Sequence, residues 1–262
     1  KKLKVSSKHR IMRVSGHQPA YLPWLGLFHK LYLSDVFVYM DTVQFLQGDW
    51  NNRNMIKTSQ KPLMLTVPID KKKSKNTNLN EIKIFNDNAS TRNYWQKAHW
   101  ESIKINYSKA PFFDFYKDEI EDMYLNKKWD YLVDLCWYQF NMFRNFLDLG
   151  NKKIVRMSEI IFEGKKDDLV LNHCEKLNGN AVIFGSLGKN YVNLEKFTKK
   201  KILVYFQDYH HPKYNQLYSS FVPKMCILDL LFNEGPELSK SVYLKNNTTY
   251  EDLNNKSKWI SN

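Results

Sequence analysis

Residues 11–41, IMRVSGHQPAYLPWLGLFHKLYLSDVFVYMD, switch between two periodicities. Ile11–Ser15 reads as a short buried strand. Trp24, Leu27, Phe28 and Leu31 recur at helical spacing, so Trp24–Leu33 reads as a helix. Val36-Phe37-Val38-Tyr39 is β-branched and aromatic, which marks a second strand within Asp35–Met40. A strand, a helix and a strand in so short a span make the unit of a parallel sheet, because parallel neighbours need a crossover that is usually a helix.

The same alternation returns later in the chain. Ile154–Ser158, Ala181–Phe184 and Ile202–Gln207 read as strands, with helices at Lys166–Leu177 and Leu194–Lys200 between them. Lys224–Phe232 reads as a closing helix. Pro62–Ile69 and Glu81–Phe85 read as two further strands, joined as a hairpin through a basic loop. Between the two alternating regions the pattern is helical over Thr91–Ile105, Phe112–Leu125 and Asp130–Leu147. In the last of these Leu132, Cys136, Phe140, Phe143 and Leu147 share one face. The expected fold is α/β: a mostly parallel, Rossmann-like sheet covered by helices, with a helical insertion around residues 91–150. Residues 12–245 form one domain on this reading. Residues 1–11 read as an extension or linker and 246–262 as a polar tail or linker. Both ends look like natural sequence, which points to a domain cut from a longer polypeptide.

Composition narrows the class. Of 262 residues 43% are apolar and 15% aromatic, which excludes a disordered chain. Nine Gly and eight Pro exclude collagen-like and low-complexity classes. No apolar run approaches the roughly 20 residues that span a bilayer. The longest, Met225–Phe232, carries Asp229. The basic start is not followed by the apolar segment of a signal peptide. Cys136, Cys174 and Cys226 are odd in number and widely spaced, so they read as reduced core thiols of a cytoplasmic protein.

Forty basic against 27 acidic residues give a formal charge of +13, and only six of the basic residues are Arg. Such a balance fits a polyanionic partner. Readers of nucleic acid lean on Arg for base contacts. The expectation is therefore phosphate-bearing small molecules, with no nucleic acid and no membrane. The runs Lys71–Lys75 and Lys199–Lys201 read as solvated loops.

Ligands of open α/β sheets bind beyond the carboxyl ends of the strands. After the first strand, His17 lies in a loop stiffened by Pro19 and Pro23, ahead of a helix opened by Trp24. A neutral imidazole there suits proton transfer, or it is a structural His tied to backbone. After the second strand, Asp41 either orients His17 or caps a turn. Arg53 offers a fork suited to phosphate or carboxylate, or forms a surface ion pair. Gly185–Tyr191 follows a later strand and offers backbone amides, Ser186, Lys189 and Tyr191. His211 follows another. Adjacent His210 and His211 diverge, and no metal motif, P-loop or nucleophile elbow is present.

These residues carry a resemblance. His17-Gln18-Pro19, Tyr21-Leu22-Pro23-Trp24, Gly26, Phe28 and Lys30 are similar to the opening motif of the WbqC-like family. The likeness runs through Asp41, Val43-Gln44-Phe45, Trp50, Asn52-Arg53-Asn54, Ile56-Lys57 and Leu65–Pro68. It then takes in His99-Trp100, Tyr107 and Lys109–Phe112. Gln207, His211-Pro212, Tyr214 and Ile227–Asn233 resemble the closing motifs. The loop Gly185–Asn193 departs from the pattern, with Leu187 and Asn193 in place of Gly or Pro and an acidic residue. The resemblance implies work in surface-polysaccharide or unusual-sugar biosynthesis, as an N-acyltransferase on a nucleotide-linked amino sugar with acetyl-coenzyme A as donor. The expected catalytic pair is His17 and Asp41. The expected binding residues are Gln18, Tyr21, Trp24, Gln44, Trp50, Asn52, Arg53, Lys57, Ser186, Lys189, Tyr191 and His211, with no metal. The full-length chain is expected to be tethered to another sugar-modifying domain. A nucleotidyl- or glycosyltransferase, or a non-catalytic carbohydrate- or nucleotide-binding module, are the alternatives.

Overall fold

The computed structural model describes residues 10–70, 74–87, 89–90 and 94–260. Five strands form one parallel sheet: β1 (Arg13–His17), β2 (Val36–Tyr39), β5 (Lys153–Arg156), β6 (Ala181–Phe184) and β7 (Leu203–Phe206). Their order is β5-β2-β1-β6-β7. From β1 the chain builds outward through β2 to β5, then returns to lay β6 and β7 on the other side of β1. The reversal lies between β1 and β6, the switch point where strand ends splay apart and ligands enter.

Both faces of the sheet are covered, which is why Val36–Tyr39 and Ala181–Phe184 are apolar without alternation and buried throughout. Phe37 and Tyr39 pack toward α1 (Leu25–Leu33) and α4 (Leu132–Phe146). Val36, Val38, Val182 and Phe184 pack on the other face, against α5 (Asp167–Lys176) and α6 (Leu194–Lys199). The α/β expectation holds. The helical insertion appears as α2 (Trp95–Tyr107), α3 (Phe113–Leu125) and α4. All three cysteines are buried free thiols. No helix among the described residues is long and apolar enough to cross a membrane.

Three element assignments need correction. The antiparallel hairpin is β3 (Arg53–Ile56) with β4 (Leu63–Thr66), so its first strand lies where the sequence pattern marks no strand. Asn52, Asn54 and Lys57 hid it, because their side chains are buried by hydrogen bonding and not by apolarity. Glu81–Phe85 is not a ladder strand; a 3₁₀ turn at Leu79–Glu81 is followed by single bridges from Lys83 to Tyr131 and from Ile84 to Ile69. The closing helix α7 runs over Ile227–Val242, well past Phe232. It bends at Gly235, whose φ of 75° suits only a residue without a Cβ, and Pro236 restarts it.

Residues 246–260 are not loosely packed. Leu253 and Trp259 bury against Leu33, Ala181 and Ile183. Asn254 accepts from Arg13 at 2.6 Å, and Ile260 pairs with Val204. Polar composition concealed this because two apolar anchors suffice to dock the segment. The lysine run 71–73 and residues 1–9 lie outside the described residues.

Candidate active site at the β1/β6 switch point

His17 ends β1, in register with Tyr39 of β2. Its Nδ1 lies 2.7 Å from the Gln18 carbonyl. A carbonyl only accepts, so Nδ1 carries the proton and Nε2 keeps a lone pair. Nε2 makes no hydrogen bond among the described residues. Burial, helped by the Lys30 ammonium, lowers the imidazole to about 4. His17 is therefore neutral at physiological pH.

The loop that carries it is locked from several directions. Asn51 donates to the Pro19 carbonyl at 2.8 Å and to Gln18 Oε1 at 3.3 Å. Asn54 donates to the Leu22 carbonyl at 2.7 Å, while the Leu22 amide donates to Gln139 at 2.8 Å. Leu22 has a φ of 43°, a costly conformation for a branched side chain that these bonds hold in place. The Ile227 amide closes the loop onto the Pro23 carbonyl. Asn51 and Asn54 thus brace the His17 loop.

Asp41 does not orient His17. Its carboxylate takes Arg156 Nε and Nη2 at 2.9 Å, the Ser158 amide at 2.9 Å and the Ser158 hydroxyl at 2.6 Å. The reading that Asp41 stabilises a turn is the one the geometry supports: it ties the ends of β2 and β5 together.

The other expected site residues fall into separate groups. Tyr21 is wholly buried, bonded to His99 Nδ1 at 2.7 Å and to the Tyr124 hydroxyl, so it is core. Trp24 is half-buried with its ring edge against Tyr209. Asn52 is spent on the Val67 carbonyl. Lys57 Nζ holds Gln216 and the Ser220 carbonyl, in a clasp where Tyr107, Tyr214 and Gln216 all donate to Asp229. Arg53, exposed Trp50 and Gln44 lie around the hairpin. Arg53 donates to the Gly48 carbonyl, stands 5.8 Å from the Trp50 ring, and lines a cavity of about 180 Å³ with Asn52 and Thr66. Gln44 donates to Asn76. Ser186, Lys189 and Tyr191 are exposed on the 3₁₀ turn Ser186–Asn190 and just after it, directly beyond β6. His211 is ringed by Tyr209, Tyr214 and Phe221, with Nε2 buried and without a partner among the described residues. Arg53, Lys57 and Lys189 therefore do not converge as one phosphate clamp.

A larger cavity, about 270 Å³, opens between Tyr94, Gln96 and Lys97 of the helical insertion and Tyr124–Lys128. Two of its lysines are neutralised, Lys127 by Asp122 and Lys128 by Asp130. The sheet topology and the unpaired imidazole favour the switch point over this cavity.

Sequence reading gave no role to Lys30. Its Nζ donates to the Gly16 carbonyl at 2.8 Å, and the residue is 7% exposed. Burial brings the ammonium down to about 8. The available signal was its position three residues after Leu27, on the apolar stripe of α1, where a lysine is out of place.

Comparison with known proteins agrees with the motifs. No solved structure matches the chain. "Uncharacterized protein Rv1507c" of Mycobacterium tuberculosis (strain ATCC 25618 / H37Rv) is 32% identical over 226 residues, covering 86% of this chain and 95% of that protein. The WbqC-like protein family model matches residues 18–241, and the chain belongs to that family.

Proposed function

We propose that the chain is an N-acyltransferase that moves an acyl group, acetyl first among them, from acyl-coenzyme A to the amino group of a nucleotide-linked amino sugar. The observation that carries this is the neutral His17 imidazole at the switch point, with Nδ1–H committed to Gln18 and Nε2 unbonded among the described residues. A sugar amine must lose a proton as it attacks the thioester carbon, and Nε2 accepts it. The carbon–sulfur bond breaks as the amide forms, and the thiol leaves with a proton. No covalent enzyme intermediate is needed, in keeping with thiols that are all buried. A cytoplasmic setting, where acyl-coenzyme A is made, belongs to the same reading.

A basicity near 4 is low for taking a proton from an ammonium. An anionic ligand beside Lys30 offsets the part of that depression due to the Lys30 charge and so raises the basicity of His17. Arg53 and Trp50, at the hairpin cavity, suit a second anionic and ring-bearing part of a substrate.

Thiol release by the purified chain, across a panel of nucleotide-linked amino sugars and acyl-coenzyme A donors, is the test. Turnover with at least one pair is expected. No turnover with any acyl donor, together with saturable nucleotide-sugar binding, would replace this reading by a binding module built on Trp50 and Arg53.

A further inference from the structure

We propose that the split between β1 and β6 is an anion-binding subsite, formed by the Lys30 ammonium and the Gly185 amide, that takes a phosphate of the ligand. It deepens the proposed function and rests on the same reading of the switch point.

The sheet's own hydrogen bonding places both donors. The Arg13 and His17 carbonyls accept from the amides of Asp35 and Met40, on the β2 side. The Met12 carbonyl accepts from the amide of Ala181, on the β6 side. By the alternation of a parallel strand, the Gly16 carbonyl also faces β6. The ladder between β1 and β6 ends at Ser15 with Ile183. The next rung would run from the Gly185 amide to the Gly16 carbonyl. It is absent among the described residues, and Lys30 Nζ takes that carbonyl instead. The Gly185 amide, pointing by the same alternation toward β1, is left without a backbone partner among the described residues. A Cβ built on Gly185 meets nothing within 4 Å, so the space over Gly185 itself is open.

Lys30 is more than nine-tenths buried, and its single hydrogen bond among the described residues goes to a neutral carbonyl. No carboxylate pairs with it among the described residues. A buried cation is costly unless an anion or several acceptors meet it. By contrast, half-buried Arg156, on the edge strand β5, has Asp41. The missing partner of Lys30 is supplied by a ligand, and a phosphate oxygen meets an ammonium and a backbone N–H together. Both substrates of the proposed reaction carry such groups, so the two sources must be separated by experiment.

Calorimetric titration of the full chain with uridine diphosphate, and separately with coenzyme A, reads the subsite directly. The wild type is expected to bind one of them. Lys30→Met is expected to weaken that probe about ten- to hundredfold, the range of a charge-assisted hydrogen bond. Its melting temperature without ligand is expected to be unchanged or higher, since an apolar side chain of similar length removes an uncompensated charge. Gly185→Ala keeps its extended backbone, at φ −71°, and puts a methyl into the open space. It is expected to weaken the same probe while melting normally. Burial holds Lys30 near 8, so wild-type affinity should also fall as pH rises through that value, and the fall should vanish in Lys30→Met. Loss confined to uridine diphosphate assigns the subsite to the nucleotide sugar; loss confined to coenzyme A assigns it to the acyl donor. Wild-type affinity for both probes in both variants, or no binding of either probe by the wild type, overturns the proposal. A wild type that binds a probe in this manner but releases no thiol from any acyl donor keeps the subsite and discards acyl transfer.

Discussion

The ends of β1 and β2 both bury charge at the carboxyl edge of one sheet, and they do so in opposite ways. At β2, Asp41 meets Arg156 and Ser158, and each carboxylate oxygen has a donor. At β1, Lys30 has one carbonyl and His17 one, and Nε2 has nothing among the described residues. A finished network holds strands together, and changing it should cost stability. An unfinished one, on a loop as firmly braced as 17–24, keeps its donors and acceptors for something that arrives from outside. The contrast separates a structural aspartate from a functional histidine, which the order of residues in the chain does not.

The sharpest way to break the contrast is to remove one member of each cluster. His17→Ala should lower turnover by about 10²–10⁴-fold, the usual range for a positioned general base. Its melting temperature should stay near that of the wild type. His17→Gln should not restore activity, because an amide does not take up the proton. Asp41→Ala should do the reverse. It leaves Arg156 without its carboxylate and should cost about 3 kcal/mol in urea unfolding, the lower end for breaking a buried pair because Arg156 is partly exposed. Any turnover that survives at low temperature should keep the wild-type pH profile. Near-normal turnover in His17→Ala would move the base elsewhere, with His211 and its unpartnered Nε2 the next residue to replace.

The parts of this architecture that repeat locally were legible in the sequence. Strand and helix alternation gave the parallel sheet and all three insertion helices, since apolar periodicity acts over neighbouring residues. What escaped depends on partners distant in sequence. Asn52 and Asn54 look like loop residues until Val67 and Leu22 are beside them. Trp259 looks like part of a polar tail until the docked segment brings it into one cluster with Leu33 and Ile183. His17 was visible as a candidate because a histidine after a strand, followed by two prolines, is a local pattern. Its partner was not, because Asp41 and Lys30 compete for that role only in three dimensions.

A second, smaller effect tests burial across the whole fold. Burial holds His17, His99 and His173 all near 4, against about 6.5 in an unfolded chain. Below 6.5 the unfolded state then binds more protons than the native one, so stability rises with pH across this window. On acidification the loss should begin near pH 6.5 and be complete for these groups below about 4. Asp229 works in the opposite sense, because burial raises its carboxyl. His29 and His211, also lowered by burial, act in the same sense as these three, so Asp229 reduces the rise with pH without reversing it. Urea midpoints measured from pH 7.5 to 4 check this. A flat profile would mean that these imidazoles are hydrated and that the closed packing around the His17 loop is wrong.

The finest distinction concerns how the two residues at the β1 end act on each other. Two causes depress His17: burial, the larger, and the Lys30 cation, the smaller. Lys30→Met removes the second and leaves the first. The imidazole should therefore titrate higher than in the wild type but still below 6.5. The sign follows from charge alone, since a neighbouring cation disfavours a second positive charge. Imidazole carbon–proton resonances followed by NMR give the value without any substrate, assigned through His17→Gln. His99, tied to Tyr21, serves as the internal control and should not move. In Asp41→Asn the His17 titration should also stay where it is, because Asp41 is committed to Arg156 and Ser158. A His17 that shifts with Asp41 and ignores Lys30 would restore the carboxylate–imidazole pair and make the two strand ends one site.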